Sequence, residues 1–284
     1  MSGPIEPRVV EAGRGATWWN EAWQIYKSNF WTWIAIMVVY IIVVVLIIAV
    51  PIVGLLGHSL LTPVFMGGLM LGCQAIERDA PLKVAHLFEG FQGVHFVPLL
   101  IIGAVNVVLT LVVSALSGGG ILGGMSMSAM MHGGAAYNSM TSMTGLLGLL
   151  STLVVAAIGA MLNWFAPALV ALRGTPAIEA MRASFASCLR NWVPFLVYSA
   201  IGLGVAVGVG IIVTVVLAIF GAAAFMSGGG SGGGIMEFIG LVLLFVAMIA
   251  VLGVLIGPIV FASQYSGYKD TLAEADALAN PAYN

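Results

Sequence analysis

Charge is what this chain has least of. Only 7 % of its 284 residues are Asp, Glu, Lys or Arg, while 61 % are hydrophobic; a typical globular chain carries about 25 % charged residues. So few charges cannot cover the apolar surface of a soluble domain. Nine Lys plus Arg stand against eleven Asp plus Glu, a formal charge of −2, so no basic face exists and nucleic acid is excluded as a partner. Cysteine is equally scarce. Cys73 and Cys188 alone cannot staple a disulfide-rich secreted fold.

What the chain has instead is long apolar runs, approximately Trp33 to Pro51, Leu55 to Ile76, Phe96 to Leu116, Leu146 to Leu172, Phe195 to Phe220 and Ile235 to Phe261. Each suffices to cross about 30 Å of hydrocarbon, which takes roughly 20 residues. They are much longer than the roughly 10-residue alternating strands of an outer-membrane barrel, and only self-satisfied backbones can face lipid. The expected fold is all-α, a polytopic membrane protein with six transmembrane helices forming one membrane domain over residues 1–284. The first run starts about 30 residues in and lacks a small-residue cleavage site, so it reads as a retained span. No soluble catalytic domain is expected.

The cations set the expected orientation through the positive-inside rule. Arg8, Arg14 and Lys27 precede the first span; Arg78 and Lys83 follow the second; Arg173, Arg182 and Arg190 follow the fourth; Lys269 follows the sixth. The three opposite loops, near Val53, at 117–145 and at 221–234, carry none. Both termini are therefore expected in the cytoplasm. Trp18, Trp19, Trp23, Trp31, Trp33 and Trp192 sit near the same ends, where amphipathic rings favour the interface.

An internal repeat is legible. Arg78-Asp79-Ala80-Pro81 matches Arg173-Gly174-Thr175-Pro176, and His95-Phe96-Val97-Pro98 matches Asn191-Trp192-Val193-Pro194. A looser copy runs from Arg14-Gly15-Ala16-Thr17 to Asn29-Phe30-Trp31. These anchors divide the chain into three parallel units, approximately 14–77, 78–172 and 173–270, each an amphipathic juxtamembrane helix followed by a hairpin of two spans. Thr17, Asp79 and Thr175 are candidate N-caps. The apolar stripes are Trp19, Trp23, Tyr26, Phe30; Val84, Leu87, Phe88, Phe91; and Ile178, Met181, Phe185, Leu189. Such helices either lie in the lipid interface or pack as connectors on the bundle. Because every unit starts on the same side, an inverted-repeat transporter architecture is excluded.

The run Glu11-Ala12-Gly13-Arg14-Gly15, the aromatic helix Trp18 to Tyr26, the segment Leu61-Thr62-Pro63-Val64-Phe65-Met66-Gly67-Gly68-Leu69-Met70-Leu71-Gly72 and His86-Leu87-Phe88-Glu89-Gly90-Phe91 together resemble a family of uncharacterised six-span inner-membrane proteins of proteobacteria. The likeness covers residues 9 to 100 and is topological beyond them. More distantly, the pattern is similar to the membrane-anchor domain of some glycerophosphodiester phosphodiesterases, without the phosphodiesterase domain. The resemblance implies a bacterial inner membrane and brings no catalytic residues. The loop at 117–145 departs from the short outer loop of that pattern.

Candidate chemistry is thin. An ionisable group inside a membrane marks a pathway by default, and here only Glu237 qualifies, near the outer end of the sixth span. Asn106 and Asn163 lie deeper and either line a cavity or bond between helices. Pro63, Pro167 and Pro258 fall within the second, fourth and sixth spans, where each is expected to kink a helix and free a carbonyl. Met125, Met127, Met130, Met131, His132, Met140 and Met143 in the outer loop are soft ligands of the kind that take Cu(I), set in a Gly/Ser/Ala composition that also reads as a plain flexible loop. His58, His86 and His95 have no zinc spacing around them. The Gly runs at 118–120 and 228–234 lack the Lys-Ser/Thr ending of a phosphate loop, and no Gly-x-Ser-x-Gly elbow occurs. Gly68-x-x-x-Gly72, Gly204-x-x-x-Gly208 and Gly253-x-x-x-Gly257 offer close helix packing.

No enzyme and no cofactor are expected. The readings that remain are a non-enzymatic protein organising lipid or envelope, or serving assembly; a transporter or channel for a small neutral or amphipathic solute; and copper handling by the outer loop. Membrane lipids are the expected partners, with a second copy or other membrane proteins as further candidates.

Overall fold

Six of the helices are long and apolar enough to cross a membrane, within Phe30–Ile48, Leu56–Glu77, Gly93–Leu116, Leu147–Arg173, Trp192–Ala222 and Ile239–Thr271. In a computed structural model, residues 5–50, 53–116, 143–227 and 234–273 are described, with backbone alone at 53, 55, 143–146, 223–227 and 234–238. Among the described residues the elements are α1 (Arg14–Ser28), α2 (Phe30–Ile48), α3 (Val53–Glu77), α4 (His86–Glu89), a 3₁₀ turn (Gly93–His95), α5 (Phe96–Leu116), α6 (Met143–Asn163), α7 (Ala166–Arg173), α8 (Ala177–Arg190), α9 (Trp192–Ser227) and α10 (Gly234–Thr271), with no strand. The chain is an all-α, polytopic membrane protein.

Consecutive spans pack as pairs, α2 on α3, α5 on α6 and α9 on α10, and α3 also touches α10. α1 lies against α10 and α9, and α8 against α6 and α7. At the centre is α7, whose residues Ala166 to Ala171 are all buried. The core concentrates at the end of the bundle that carries the cations, called the basic end below. Trp18, Trp33, Leu69, Leu99, Phe165 and Leu169 are fully buried there. Backbone contact makes this possible. A Cβ on Gly15 would stand 2.1 Å from the Pro194 carbonyl oxygen, and one on Gly103 would stand 1.9 Å from that of Leu60.

Several local expectations change. α1 starts at Arg14 with Gly13 in the cap position, and Thr17 bonds back to the Gly13 carbonyl from inside the helix. Asp79 has φ 56° and follows the end of α3, while α8 starts after Pro176. None of Thr17, Asp79 and Thr175 is an N-cap. The second juxtamembrane helix shrinks to the single turn of α4, because Gly93 turns the chain at φ 63° and Gly68 and Gly90 let the segment press onto α3. In α1 the buried face is Gly15, Trp18, Ala22 and Tyr26, with Trp23 outside. In α8 it is Ala180, Ser184, Ser187, Cys188 and their neighbours, and Ile178 and Leu189 point outward. Both helices therefore pack on the bundle through small residues interleaved with a few bulky ones, Trp18 and Tyr26 in α1 and Met181 in α8, while Trp23, Ile178 and Leu189 face the surroundings.

The three prolines behave differently. α3 and α10 run unbroken through Pro63 and Pro258. The fourth span does break, at Trp164 and Phe165, and restarts as α7 with Pro167 in its first turn, where a missing N–H costs nothing.

Candidate intramembrane cavity

A cavity of about 460 Å³ opens between α3, α5, α6, α7 and α10. Its polar lining comes from His58, Ser59 and Thr62 on α3, Asn106 and Thr110 on α5, Asn163 on α6 and Gln264 on α10. The rest is hydrocarbon, with Met66, Val113, Val155, Trp164 and both Pro63 and Pro167. Volumes of about 300–1,000 Å³ with a few convergent polar groups are those of small-molecule sites. Helical periodicity explains the convergence: His58, Thr62 and Met66 are four apart on α3, and Asn106, Thr110 and Val113 are four and three apart on α5, so each set shares one face.

Some of these groups satisfy one another. Thr62 Oγ1 donates to the His58 carbonyl at 2.7 Å and Thr110 Oγ1 to that of Asn106 at 2.8 Å. The hydroxyls of Ser59 and Thr110 meet at 3.4 Å across α3 and α5. Asn163 Nδ2 donates to the Gly159 carbonyl at 2.8 Å. Two carboxamide oxygens, Asn163 Oδ1 and Gln264 Oε1, are buried without a hydrogen-bond partner. A buried acceptor left unmade costs about 1–3 kcal/mol, a penalty that a ligand donor would remove.

The basic end is the opposite case. Asp270 accepts from Arg14 Nε at 2.5 Å and Nη2 at 2.6 Å, and from Trp18 Nε1 at 2.7 Å. Glu21 takes a further bond from Arg14 at 2.9 Å. Hydrogen bonding to Asp270 raises the Arg14 pKa above its ordinary value, burial opposing and the charges of Asp270 and Glu21 adding. Glu77 at the end of α3 accepts from Tyr265 and Lys269 of α10. The carbonyls at and just past the end of α10 are met by guanidinium groups, Arg8 on Lys269 and Ala273 and Arg173 on Leu272, a favourable pairing with the negative end of the helix dipole. Asn191 is buried and satisfied on both sides, its Oδ1 accepting from Val10 N and its Nδ2 donating to the carbonyls of Arg8 and Ser187. Burial pushes the Cys188 thiol pKa up to about 12.

The structure brings Asn106, Asn163, Pro63 and Pro167 to one cavity and leaves Pro258 buried outside its lining. The Glu237 side chain lies outside the described residues, as do Met125, Met127, Met130, Met131, His132 and Met140 and the Met143 side chain. Among the described residues no group of three or more His, Cys, Asp or Glu is placed to hold a metal ion. Gly68 and Gly72 pack against the 82–87 segment, and Gly253 and Gly257 meet Ile41 and Met37 of α2, whereas Gly204 and Gly208 have nothing within 4 Å. Sequence reasoning missed Gln264, Thr62 and Thr110. Gln264 was findable by the argument that selected Asn106, an amide in an apolar span.

The chain is 27 % identical over 222 residues to a protein of Burkholderia thailandensis named as a probable inner membrane protein, covering 76 % of this chain and 82 % of that one. No family model matches the chain, and no solved structure matches it. This integral membrane protein is thus similar to one whose name states a location and no activity.

Proposed function

We propose that the protein binds a small neutral or amphipathic solute within the membrane and carries it, acting without catalysis in a bacterial inner membrane with both termini in the cytoplasm. The observation that carries this reading is the cavity, where amides and hydroxyls from four spans meet and two buried carboxamide oxygens lack partners. The location rests on the relative's name and the orientation on the placement of the cations. Among the described residues no Lys, Arg, Asp or Glu lines the cavity, which favours an uncharged cargo over an ion. The test is uptake of urea and small polyols by liposomes holding the purified protein, followed by light scattering. Flux above that of empty liposomes is expected, falling at least tenfold in Asn106→Ala and Asn163→Ala. Flux equal to empty liposomes for every solute would sink the reading.

A second reading, lipid organisation, is favoured by the collar around the basic end. Trp31 is 79 % exposed and Trp192 64 %, beside Ile178, Leu189, Val94 and Val97, and Arg182 and Arg190 lie on the same α8 surface. Aromatic rings and arginines at that depth suit an interface with anionic headgroups. Anionic lipid retained on purification should fall in an Arg182→Gln, Arg190→Gln variant, and unchanged retention would remove this support.

A further inference from the structure

The polar cavity has an apolar neighbour. A second cavity of about 380 Å³, a groove open to the surroundings, lies between α6, α8 and α9, lined by Met161, Phe195, the exposed Trp192 and Leu196 and other apolar groups, with Ser199 as its one hydroxyl among the described residues. Ala160 and Trp164 line both, so the two cavities share a wall. That wall stands at the break between α6 and α7, where the Trp164 ring meets Phe195 and Tyr198 edge-on at 5.8 and 5.6 Å. Among the described residues, no Lys, Arg, Asp or Glu lines either cavity. A phosphate, carboxylate or ammonium head would lose its hydration there without gaining a counter-charge, which is prohibitive in a low-dielectric site.

The hydrogen-bonding sense of the polar cavity is equally defined. A backbone carbonyl can only accept, so the bond from Asn163 Nδ2 to Gly159 fixes which way the Asn163 amide points. Its Oδ1 is therefore an unpaired acceptor, and Gln264 Oε1 on α10 is a second; both are covered by the cavity lining, so a ligand head meets them when those two side chains turn toward it. Pro167 has no N–H to offer the Asn163 carbonyl. A donor-bearing ligand would pair these acceptors; an acceptor-only ligand would not.

We infer that the paired cavities take an uncharged amphiphile, its hydroxyl or amide head set against Asn163 Oδ1 and Gln264 Oε1 and its hydrocarbon chain passing Trp164 into the apolar cavity. This deepens the solute-binding reading and rests on it: the cargo is lipid-like, of the class of long-chain alcohols and other hydroxyl-bearing neutral lipids. The charge-free lining rejects phospholipids by their phosphate, and so distinguishes cargo from solvent inside a phospholipid bilayer.

The probe is tritiated oleyl alcohol, bound at equilibrium to the purified full-length chain in detergent micelles. Two competitors keep the same chain, its methyl ether without a donor and oleyl sulfate with a permanent negative charge. Saturable binding of the alcohol is expected, with both competitors at least tenfold weaker. Asn163→Leu and Gln264→Leu should each weaken the alcohol at least tenfold, and Trp164→Ala should erase the preference for oleyl over octyl alcohol. Equal competition by the ether or by the sulfate on the unaltered protein would overturn the inference without any dependence on variant folding. Solute flux that is sensitive to Asn163→Ala in liposomes, together with no saturable alcohol binding, overturns the amphiphile and leaves the carrier reading standing. Loss of both overturns both.

Discussion

The two halves of the bundle are built on different physics. At the basic end α1 touches α9 backbone to backbone through Gly15, with α5 meeting α3 in the same way at Gly103 beside the cavity, and the charges pair in a network from Arg14 through Asp270 to Trp18. Toward the far end α2 exposes Ile42, Val45, Leu46 and Ile48, and α9 exposes Ile211, Ile212, Val215 and Ile219. In water that exposure would be ruinous. Hydrocarbon is as apolar as leucine, so between spans the hydrophobic effect supplies little, and association falls to close packing and polar contacts. The basic end has both. Two asparagines show the same division: the buried Asn191 is satisfied on both amide groups, whereas the half-buried Asn163 at the cavity keeps one oxygen unpaired. Stability is concentrated at one end, and the unfilled polar capacity lies further along the bundle.

The strongest way to break this comparison is through its glycines. Gly103→Val should drive the side chain into the Leu60 backbone and cost more than about 3 kcal/mol, abolishing monodisperse protein in detergent. Gly204→Val, with nothing within 4 Å, should change stability by less than about 0.5 kcal/mol in the same thermal unfolding measurement. Equal effects at the two sites would remove the distinction between halves. Next in size, Asp270→Ala strands Arg14 and the Trp18 indole N–H, a loss of about 2 kcal/mol, because the pair is partly solvated. Asn163→Leu removes an unpaired acceptor, so its thermal stability should stay within about 1 kcal/mol of the parent while solute binding is lost. A stability loss as large as that of Asp270→Ala would mean that Asn163 serves packing.

The smallest effect concerns pH. The Cys188 thiol has its pKa raised from 9.0 to about 12 by burial, so the unfolded chain releases that proton first. Stability from this group is complete below pH 9 and is lost as pH rises toward 12. Cys188→Ala should flatten that alkaline decline, read as the slope of the melting temperature between pH 9 and 11.

The spans were legible because their hydropathy is extreme and their length is set by the bilayer. Asn106 and Asn163 stood out for a related reason, an amide being conspicuous where all else is apolar. Cap positions were illegible. Thr17 and Asp79 have the chemistry of caps, but Gly13 and the left-handed turn at Asp79 decide where the helices begin and end. The buried faces of α1 and α8 are legible only in part: Tyr26 and Met181 of the bulky stripes are buried, but close helix approach adds Gly15, Ala22, Ala180 and Ser184 and leaves Trp23, Ile178 and Leu189 outside. That selection depends on which neighbour lies opposite, and periodicity within one segment carries no such information. Gln264 lies beyond Phe261, where the apolar run ends, while α10 continues to Thr271.

The unequal lengths of the spans bear on where this protein can reside. α2 has 19 residues and fits a hydrocarbon layer of about 30 Å, while the apolar stretch Trp192–Ala222 in α9 has 31, about 46 Å at 1.5 Å per residue. Even a 40° tilt shortens that only to about 35 Å. The third hairpin therefore mismatches the bilayer that suits the first. A helix of that length is accommodated by tilting, by local thickening of the bilayer or by an end that stands clear of the hydrocarbon, so the bilayer thickness that suits the protein is set by α9 and α10 against α2.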